Sequence, residues 1–381
     1  MIYLDNGATS FPKPPQVGTA IMAALAAPAS PGRSGHAPAM AAGRTIHRAR
    51  KAIAKLFGIK DNGRICFGPN VSWALNVAID GLGLQRGDHV LSGSLEHNST
   101  ARPLARLAVE KGVLWEAVPA EDGAMRPNAF KARLRPETRL VVLNHASNVS
   151  GALAPAREIK EAIGSVPLLL DTAQTAGSVP LDDAGSWVDL LAFTGHKGLL
   201  GPTGTGGLWV GPGINLRPLA VGGSGSHSES LEHPDFLPDS LEAGTANTHG
   251  LAGLAAGVEY VLSTTPAAIR EHEMRLTGHF LGGLEGLPGL SLQGPGLGRP
   301  DRVATVSLNL KGWSSSDLAA ALERDYGILT RAGLHCAPMT HKSLGTFPGG
   351  SVRFSFGPFN TLEEILTAVK ALKALAPRKG R

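Results

Sequence analysis

VPLLLDTAQTAGSVPLDDAGSWVDLLAFTGHKGLLGPTGTGGLWVG, residues 166–211, decides the fold of this 381-residue chain. An apolar run, Pro167-Leu168-Leu169-Leu170, ends in the carboxylate of Asp171. An Asp in that place belongs at the C-terminal mouth of a buried parallel strand. A second run over 188–193 ends in Thr194-Gly195-His196-Lys197, a polar group on a short turn. Gly198, Gly201, Gly204, Gly206 and Gly207 follow, so backbone can approach another group closely there. Gly207-Leu208-Trp209-Val210-Gly211 reads as one more strand. Two strand ends thus present a carboxylate and a lysine to one crevice, where open α/β sheets bind ligands.

That pair suggests a chemistry. A lysine forms a Schiff base with an aldehyde cofactor. A carboxylate keeps a pyridinium nitrogen protonated, so the ring accepts electrons. Pyridoxal phosphate uses both. Taken singly, each residue also has a plain structural reading, as a surface lysine and as a helix-capping Asp.

Three motifs are more specific together: Asp171-Thr172-Ala173-Gln174, Thr194-Gly195-His196-Lys197-Gly198, and Gly201-Pro202-Thr203-Gly204. They resemble the cofactor core of the class V aminotransferase family, and within it the cysteine desulfurase and selenocysteine lyase group with a short catalytic loop. The likeness runs from Leu4-Asp5-Asn6-Gly7-Ala8-Thr9 to Phe359-Asn360-Thr361, nearly the whole chain. The resemblance implies an α/β protein of pyridoxal-phosphate fold type I. A large cofactor-binding domain with a mainly parallel central sheet would span 15–260. A smaller α/β domain would combine 1–14 with 261–381.

Composition agrees with a packed globular protein: 43% of residues are hydrophobic and 18% charged. No apolar run reaches membrane-spanning length, and the start lacks a signal-peptide pattern, so a cytoplasmic protein without a membrane partner is expected. Cys66 and Cys336 are too few for a disulfide framework and suit a reducing compartment. The net charge of +5 owes part of its excess to Lys370, Lys373, Arg378, Lys379 and Arg381. These read as a solvated helix and tail. No zinc-type cluster or aromatic-basic platform accompanies them, so neither a metal nor a nucleic-acid partner is expected.

Several segments add candidate site residues. A Pro/Gly/Ser loop over 28–38 carries Arg33 and His36, and a helix is expected from residue 39 to 57. In the family such a loop covers the active site, which gives His36 a substrate-side role. Arg64-Ile65-Cys66-Phe67 reads as a strand running into Asn70-Val71-Ser72 and a helix. A strand, a tight turn and a helix N-terminus make an anion site, the expected phosphate cradle. The family pattern has glycine and threonine where Asn70 and Ser72 stand. Asn tolerates left-handed backbone, and Ser keeps the hydroxyl. Cys66 lies inside the apolar strand and reads as an inert buried thiol.

The strand over 89–93 leads to Glu96-His97, and the resemblance implies that His97 stacks on the pyridine ring and takes part in proton chemistry. The apolar strand from 138 ends near Asn148, which the resemblance places, with Gln174, at the cofactor's phenolate oxygen. Thr194 and His196 join the cofactor group. Thr245, in Glu242-Ala243-Gly244-Thr245, matches a phosphate-binding turn that crosses to a neighbouring subunit in the family, implying a homodimer with shared sites. A long helix is expected over 248–262, and the remainder alternates helices and strands, including one strand over 328–331.

Arg331-Ala332-Gly333-Leu334-His335-Cys336-Ala337-Pro338 resembles the catalytic-cysteine loop. Its basic surroundings favour a thiolate. Arg353, on an alternating strand, matches an arginine that forks onto the substrate carboxylate, and Arg331 is a second candidate. The implied reaction converts L-cysteine to L-alanine. Lys197 carries the cofactor and then acts as base at the α-carbon, and the sulfur passes to Cys336 as a persulfide for an acceptor protein. Selenocysteine lyase activity uses the same residues. A transaminase or epimerase of the same family would leave Cys336 incidental.

Overall fold

The computed structural model describes residues 1–28, 30–31 and 34–377. Arg33, Arg378, Lys379 and Arg381 lie outside the described residues. Within them, three sheets are built from β1 (Ile2–Tyr3), β2 (Ile65–Gly68), β3 (His89–Gly93), β4 (Leu114–Val118), β5 (Thr138–Asn144), β6 (Leu168–Asp171), β7 (Leu190–Thr194), β8 (Gly206–Val210), β9 (Leu290–Gln293), β10 (Thr305–Leu310), β11 (Ile328–Leu329), β12 (Arg331–Gly333) and β13 (Ser351–Ser355).

The central sheet has the order β2-β8-β7-β6-β5-β3-β4. Strands β7, β6, β5, β3 and β4 run parallel. β8 is antiparallel to both β7 and β2. The segment 195–205 between β7 and β8 contains no helix, and without a helical crossover a chain returns antiparallel. The strand read at 207–211 is thus present one residue earlier, reversed against its neighbour.

Side chains of successive strand residues point to opposite faces, and the apolar runs use both. Val141, Leu143, Leu168, Leu170, Leu191 and Phe193 join one core with Ile53 and Phe57. Leu140, Val142, Leu169, Leu190 and Ala192 join another with Leu75, Val77 and Leu104. Burial on both faces explains why β5, β6 and β7 read as continuous rather than alternating hydrophobic runs.

The second sheet, β12-β13-β10-β9, is antiparallel. Its core takes Leu276, Phe280, Leu318, Leu322, Ile365 and Leu372 from the helices Pro266–Leu284, Ser315–Tyr326 and Leu362–Leu375, together with Leu4 from the far end of the chain. β1 pairs in parallel with β11. The single strand expected over 328–331 is two, because the chain leaves one sheet at Leu329 and enters another at Arg331.

The helix Ala37–Phe57 starts two residues before its expected place. His36 Nδ1 accepts from Ala39 N (3.2 Å), and Pro38 suits the first turn. Strands β4 and β9 and the helices Pro127–Lys131, Ala156–Ile163 and Pro338–Ser343 are not among the expected elements, although Ala156, Ile159 and Ile163 give the second helix a clear apolar face. Among the described residues, no helix is long and apolar enough to cross a membrane.

Candidate active site

Parallel pairing brings the C-terminal ends of the central strands to one edge. Asn144 closes β5 and is paired with Asp171, which closes β6 and is paired with Ala192 of β7. Thr194 closes β7, and His97 follows β3. A cavity of about 300 Å³ opens there, lined by Asn70, Val71, Ser72, His97, Asn148, Asp171, Gln174, Thr194, His196 and Lys197, with Ala8 from the N-terminal segment. Apart from Ala8, the lining residues, spread from Asn70 to Lys197, share one wall because each closes or follows a strand of the central sheet.

Two backbone turns fix the lysine against the carboxylate. A Cβ on Gly177 would lie 2.1 Å from Gly198 O, and one on Gly198 would lie 2.3 Å from Ala176 O. The turn after Asp171 and the turn carrying Lys197 therefore touch backbone to backbone. Burial pushes the Lys197 ammonium down to about 8, and Asp171 only partly opposes this. Burial likewise raises the Asp171 carboxyl, against the Ala173 N–H donated to Oδ1 (2.9 Å) and the charge of Lys197. Their mutual attraction does not offset the loss of water for either group, and the two form no ion pair.

His97 has a defined tautomer. The Ser99 N–H donates to its Nδ1 (3.1 Å), so that nitrogen carries the lone pair and the ring proton sits on Nε2. Ser99 Oγ lies 2.9 Å from the same Nδ1 and 2.6 Å from Ser72 Oγ, which makes a chain of donors ending on the imidazole. Burial, then the charges of Lys197 and Arg331, push His97 down to about 4, so the ring is neutral at neutral pH. Beside it, Glu96 is fully buried. Its Oε1 accepts from Asn144 N (2.8 Å), and burial raises its carboxyl to about 8.

Asn70 departs from expectation. Its φ of −175° is extended, not left-handed, and its Oδ1 accepts from Trp73 N (3.0 Å). It serves as the N-cap of the helix Val71–Gly81, which leaves the first-turn N–H groups of Val71 and Ser72 facing the cavity. A Cβ on Gly206 would meet Asn70 Cα at 2.7 Å, so β8 presses against this cradle. Thr194 Oγ1 and His196 Nδ1 are buried without partners. Gln174 Nε2 donates to Gly7 O (3.1 Å), a bond that ties the N-terminal segment to the cavity.

The Cys336 loop stands at the outer side. His335 and Cys336 have φ of 50° and 57°, in the region that side chains disfavour. The loop is held by Asn148 Nδ2 donating to His335 O (2.8 Å) and by Asn98 N donating to Cys336 O (2.8 Å). Cys336 is exposed, with Arg331 Nη2 3.6 Å from its Sγ. Cys66 is buried, and burial pushes its thiol up. Arg353 is almost fully buried; it donates to Asp5 Oδ1 (2.7 Å) and Asn148 O (3.1 Å).

Cys336, Arg331 and Arg353 do not line the Lys197 cavity, and two further candidates lie farther away. His36 is exposed, its Nδ1 caps a helix, and it does not line the cavity. Thr245 is exposed and lines a separate cavity of about 270 Å³ with Trp73 and Asn247. Sequence reading missed Asp5, Ser99 and Glu96 as site residues. Glu96 and Ser99 flank His97, so only proximity signalled them, and Asp5 looked like ordinary turn chemistry.

The profile of the aminotransferase class-V family matches residues 2–367. A probable cysteine desulfurase of Methanothermobacter thermautotrophicus is 31% identical over 384 residues, covering 98% of this chain and 94% of its own. Among solved structures, the apo cysteine desulfurase of Thermococcus onnurineus superposes with a TM-score of 0.89 at 31% identity, covering 98% of this chain and 94% of that one. The cysteine desulfurase CsdA of Escherichia coli superposes with a TM-score of 0.87 at 26% identity, with the same coverages.

Proposed function

The chain belongs to the aminotransferase class-V family, and from that premise we propose that it is a pyridoxal-phosphate-dependent cysteine desulfurase. It converts L-cysteine to L-alanine and carries the sulfur as a persulfide on Cys336. The observation that carries this reading is an exposed cysteine on an anchored loop, beside Arg331, at the outer side of a buried lysine–carboxylate cavity.

The residues fit the cofactor. Lys197 would hold its aldehyde carbon, Asp171 its ring nitrogen and His97 its ring face, with Gln174 and Asn148 at its phenolate side. The free N–H groups of Val71 and Ser72, and the unbonded Thr194 Oγ1 and His196 Nδ1, would receive its phosphate. When bound, the cofactor supplies an electron sink for the bonds at the substrate's α-carbon.

The chain's own groups do the rest. Arg353, with Asp5 fixing its orientation, binds the substrate carboxylate. Lys197, brought near neutrality by burial, takes the proton from the α-carbon. The Cys336 thiolate attacks the substrate sulfur. An S–S bond forms, the C–S bond breaks, and its electron pair stays with carbon. That carbon takes a proton and becomes the methyl group of alanine, and Lys197 returns its proton to the α-carbon. His97, neutral, offers its Nε2–H in the same cavity as a hydrogen-bond donor.

Thr245 lies exposed away from Lys197, which fits a homodimer in which it completes the partner's phosphate site. The division into 15–260 and 1–14 with 261–381 fits the packing of Leu4 with Leu276 and Leu372. Cys336 has to be a free thiol at the start of each turnover, which suits a reducing compartment such as the cytoplasm.

The test is to incubate the purified, cofactor-loaded protein with L-cysteine and measure alanine and sulfide together. Equal yields, abolished in Cys336→Ser while the cofactor absorbance persists, support the proposal. Sulfide release that survives Cys336→Ser removes the role of that residue. Yellow protein that yields neither product moves the activity to selenocysteine or to another reaction of the family. Light scattering that gives a monomer under assay conditions removes the shared-site dimer.

A further inference from the structure

Cys336 does not line the cavity that holds Lys197. It lines a second, outer cavity of about 430 Å³, which adjoins the first where Ser72, His97 and Ser99 line both. Across the outer cavity from Cys336 stand Arg102 and Arg106, on the helix Asn98–Lys111. Their charges are not equivalent. Arg106 donates to Asp80 and also lies 4.0 Å from Glu110, so its charge is spent on two carboxylates. Arg102 is exposed and has neither a hydrogen bond nor an ion pair among the described residues, and its charge reaches His97. No carboxylate lines the cavity, and Arg331 adds a second cation at the sulfur. A molecule approaching Cys336 from solvent therefore meets the uncompensated charge of Arg102 and the charge of Arg331, while the nearby carboxylates Asp80 and Glu110 are engaged by Arg106.

We propose that the outer cavity is the sulfur-acceptor subsite, and that it takes a small thiol bearing a carboxylate. Arg102 binds the carboxylate while the thiolate attacks the outer sulfur of the Cys336 persulfide. The Cys336 S–S bond breaks, and a new S–S bond forms on the acceptor. Cys336 leaves as a thiolate, and no other oxidant or reductant takes part. This inference rests on the desulfurase reading. It adds that amino acid and acceptor reach Cys336 from two adjoining cavities that meet at His97.

Two measurements on the cofactor-loaded protein test it. The first compares 3-mercaptopropionate with neutral 2-mercaptoethanol as acceptors during turnover of L-cysteine. The second compares alkylation of Cys336 by iodoacetate and by iodoacetamide, read by mass spectrometry. It needs no turnover, and buried Cys66 does not compete. Removing a partly exposed charge should lower the preference for the anionic reagent about threefold in Arg102→Gln. Arg102→Lys restores it, Arg102→Glu reverses it, and about 0.5 M salt weakens it in the wild type. An anion-to-neutral ratio unchanged by Arg102→Gln overturns the subsite, even when alanine is produced normally. Charge-dependent alkylation in a protein that makes no alanine overturns the desulfurase reading and the acceptor role, leaving only an anion site.

Discussion

Gly177→Ala tests the claim that two touching turns set the geometry between Asp171 and Lys197. The new Cβ would sit 2.1 Å from Gly198 O, and Cβ atoms are essentially never found closer than 3.0 Å. The Lys197 turn must therefore retreat by at least about 0.9 Å, the difference between those two distances. Gly177 also has a φ of +94°, and a side chain there costs about 1–2 kcal/mol. Overpacking adds about 1–3 kcal/mol. Gly213→Ala separates the two effects, because Gly213 has a φ of +82° and nothing within 4 Å of its Cβ position. Thermal melts should show the larger loss for Gly177→Ala, by about 1–3 kcal/mol. Misplacing a reacting group by about 1 Å costs about 100-fold in rate. Alanine formation should fall by that factor in Gly177→Ala and stay near wild type in Gly213→Ala. Equal melting temperatures and equal rates for the two variants would refute the argument.

Three other outcomes follow from the same geometry. Burial lowers Lys197 to about 8, so its neutral, nucleophilic fraction grows as pH rises to that value; recovery of visible absorbance when the apoprotein is given pyridoxal phosphate should accelerate about tenfold per pH unit below 8 and level off above it, and a flat profile from pH 6 to 9 would contradict this. Arg353→Lys keeps a charge for Asp5 but loses the planar fork, so KM for cysteine should rise about tenfold with the cofactor retained; an unchanged KM would place the substrate carboxylate elsewhere. Arg50 donates to Glu242, which also accepts from Phe67 N and joins the 241–247 turn to β2. Arg50→Ala should cost about 3 kcal/mol by leaving that carboxylate buried and unpaired. Burial already raises the Glu242 carboxyl, so the cost is present while it is ionised and fades as pH falls through its folded value; denaturation midpoints at pH 5 and pH 8 that shift equally would count against the pairing.

The strands were legible because their signals are local. Unbroken apolar runs ending at Asn144, Asp171 and Thr194 marked buried parallel strands, and polar residues just past those ends marked a crevice. Single-residue readings were weaker, since the residues that make sites also cap helices. Asn70 and His36 are both caps, and Asn70 acts through its side chain rather than through unusual backbone.

Periodicity, strand-end chemistry and motif spacing along the chain therefore determined by themselves that this is an α/β protein with a lysine and a carboxylate at one sheet edge. Tertiary structure alone decided which groups finally met. Gln174 is tied to Gly7, Asn148 to the carbonyl of His335, and Arg353 to Asp5, 348 residues away. It also decided that β8 runs antiparallel, that Gly177 and Gly198 touch, and that Cys336 faces Arg102 across a cavity adjoining that of Lys197. Propensities and caps act over a few neighbouring residues. Contacts between distant segments depend on how sheet order, loop closure and packing of two faces are satisfied together, and no stretch of sequence contains that information locally.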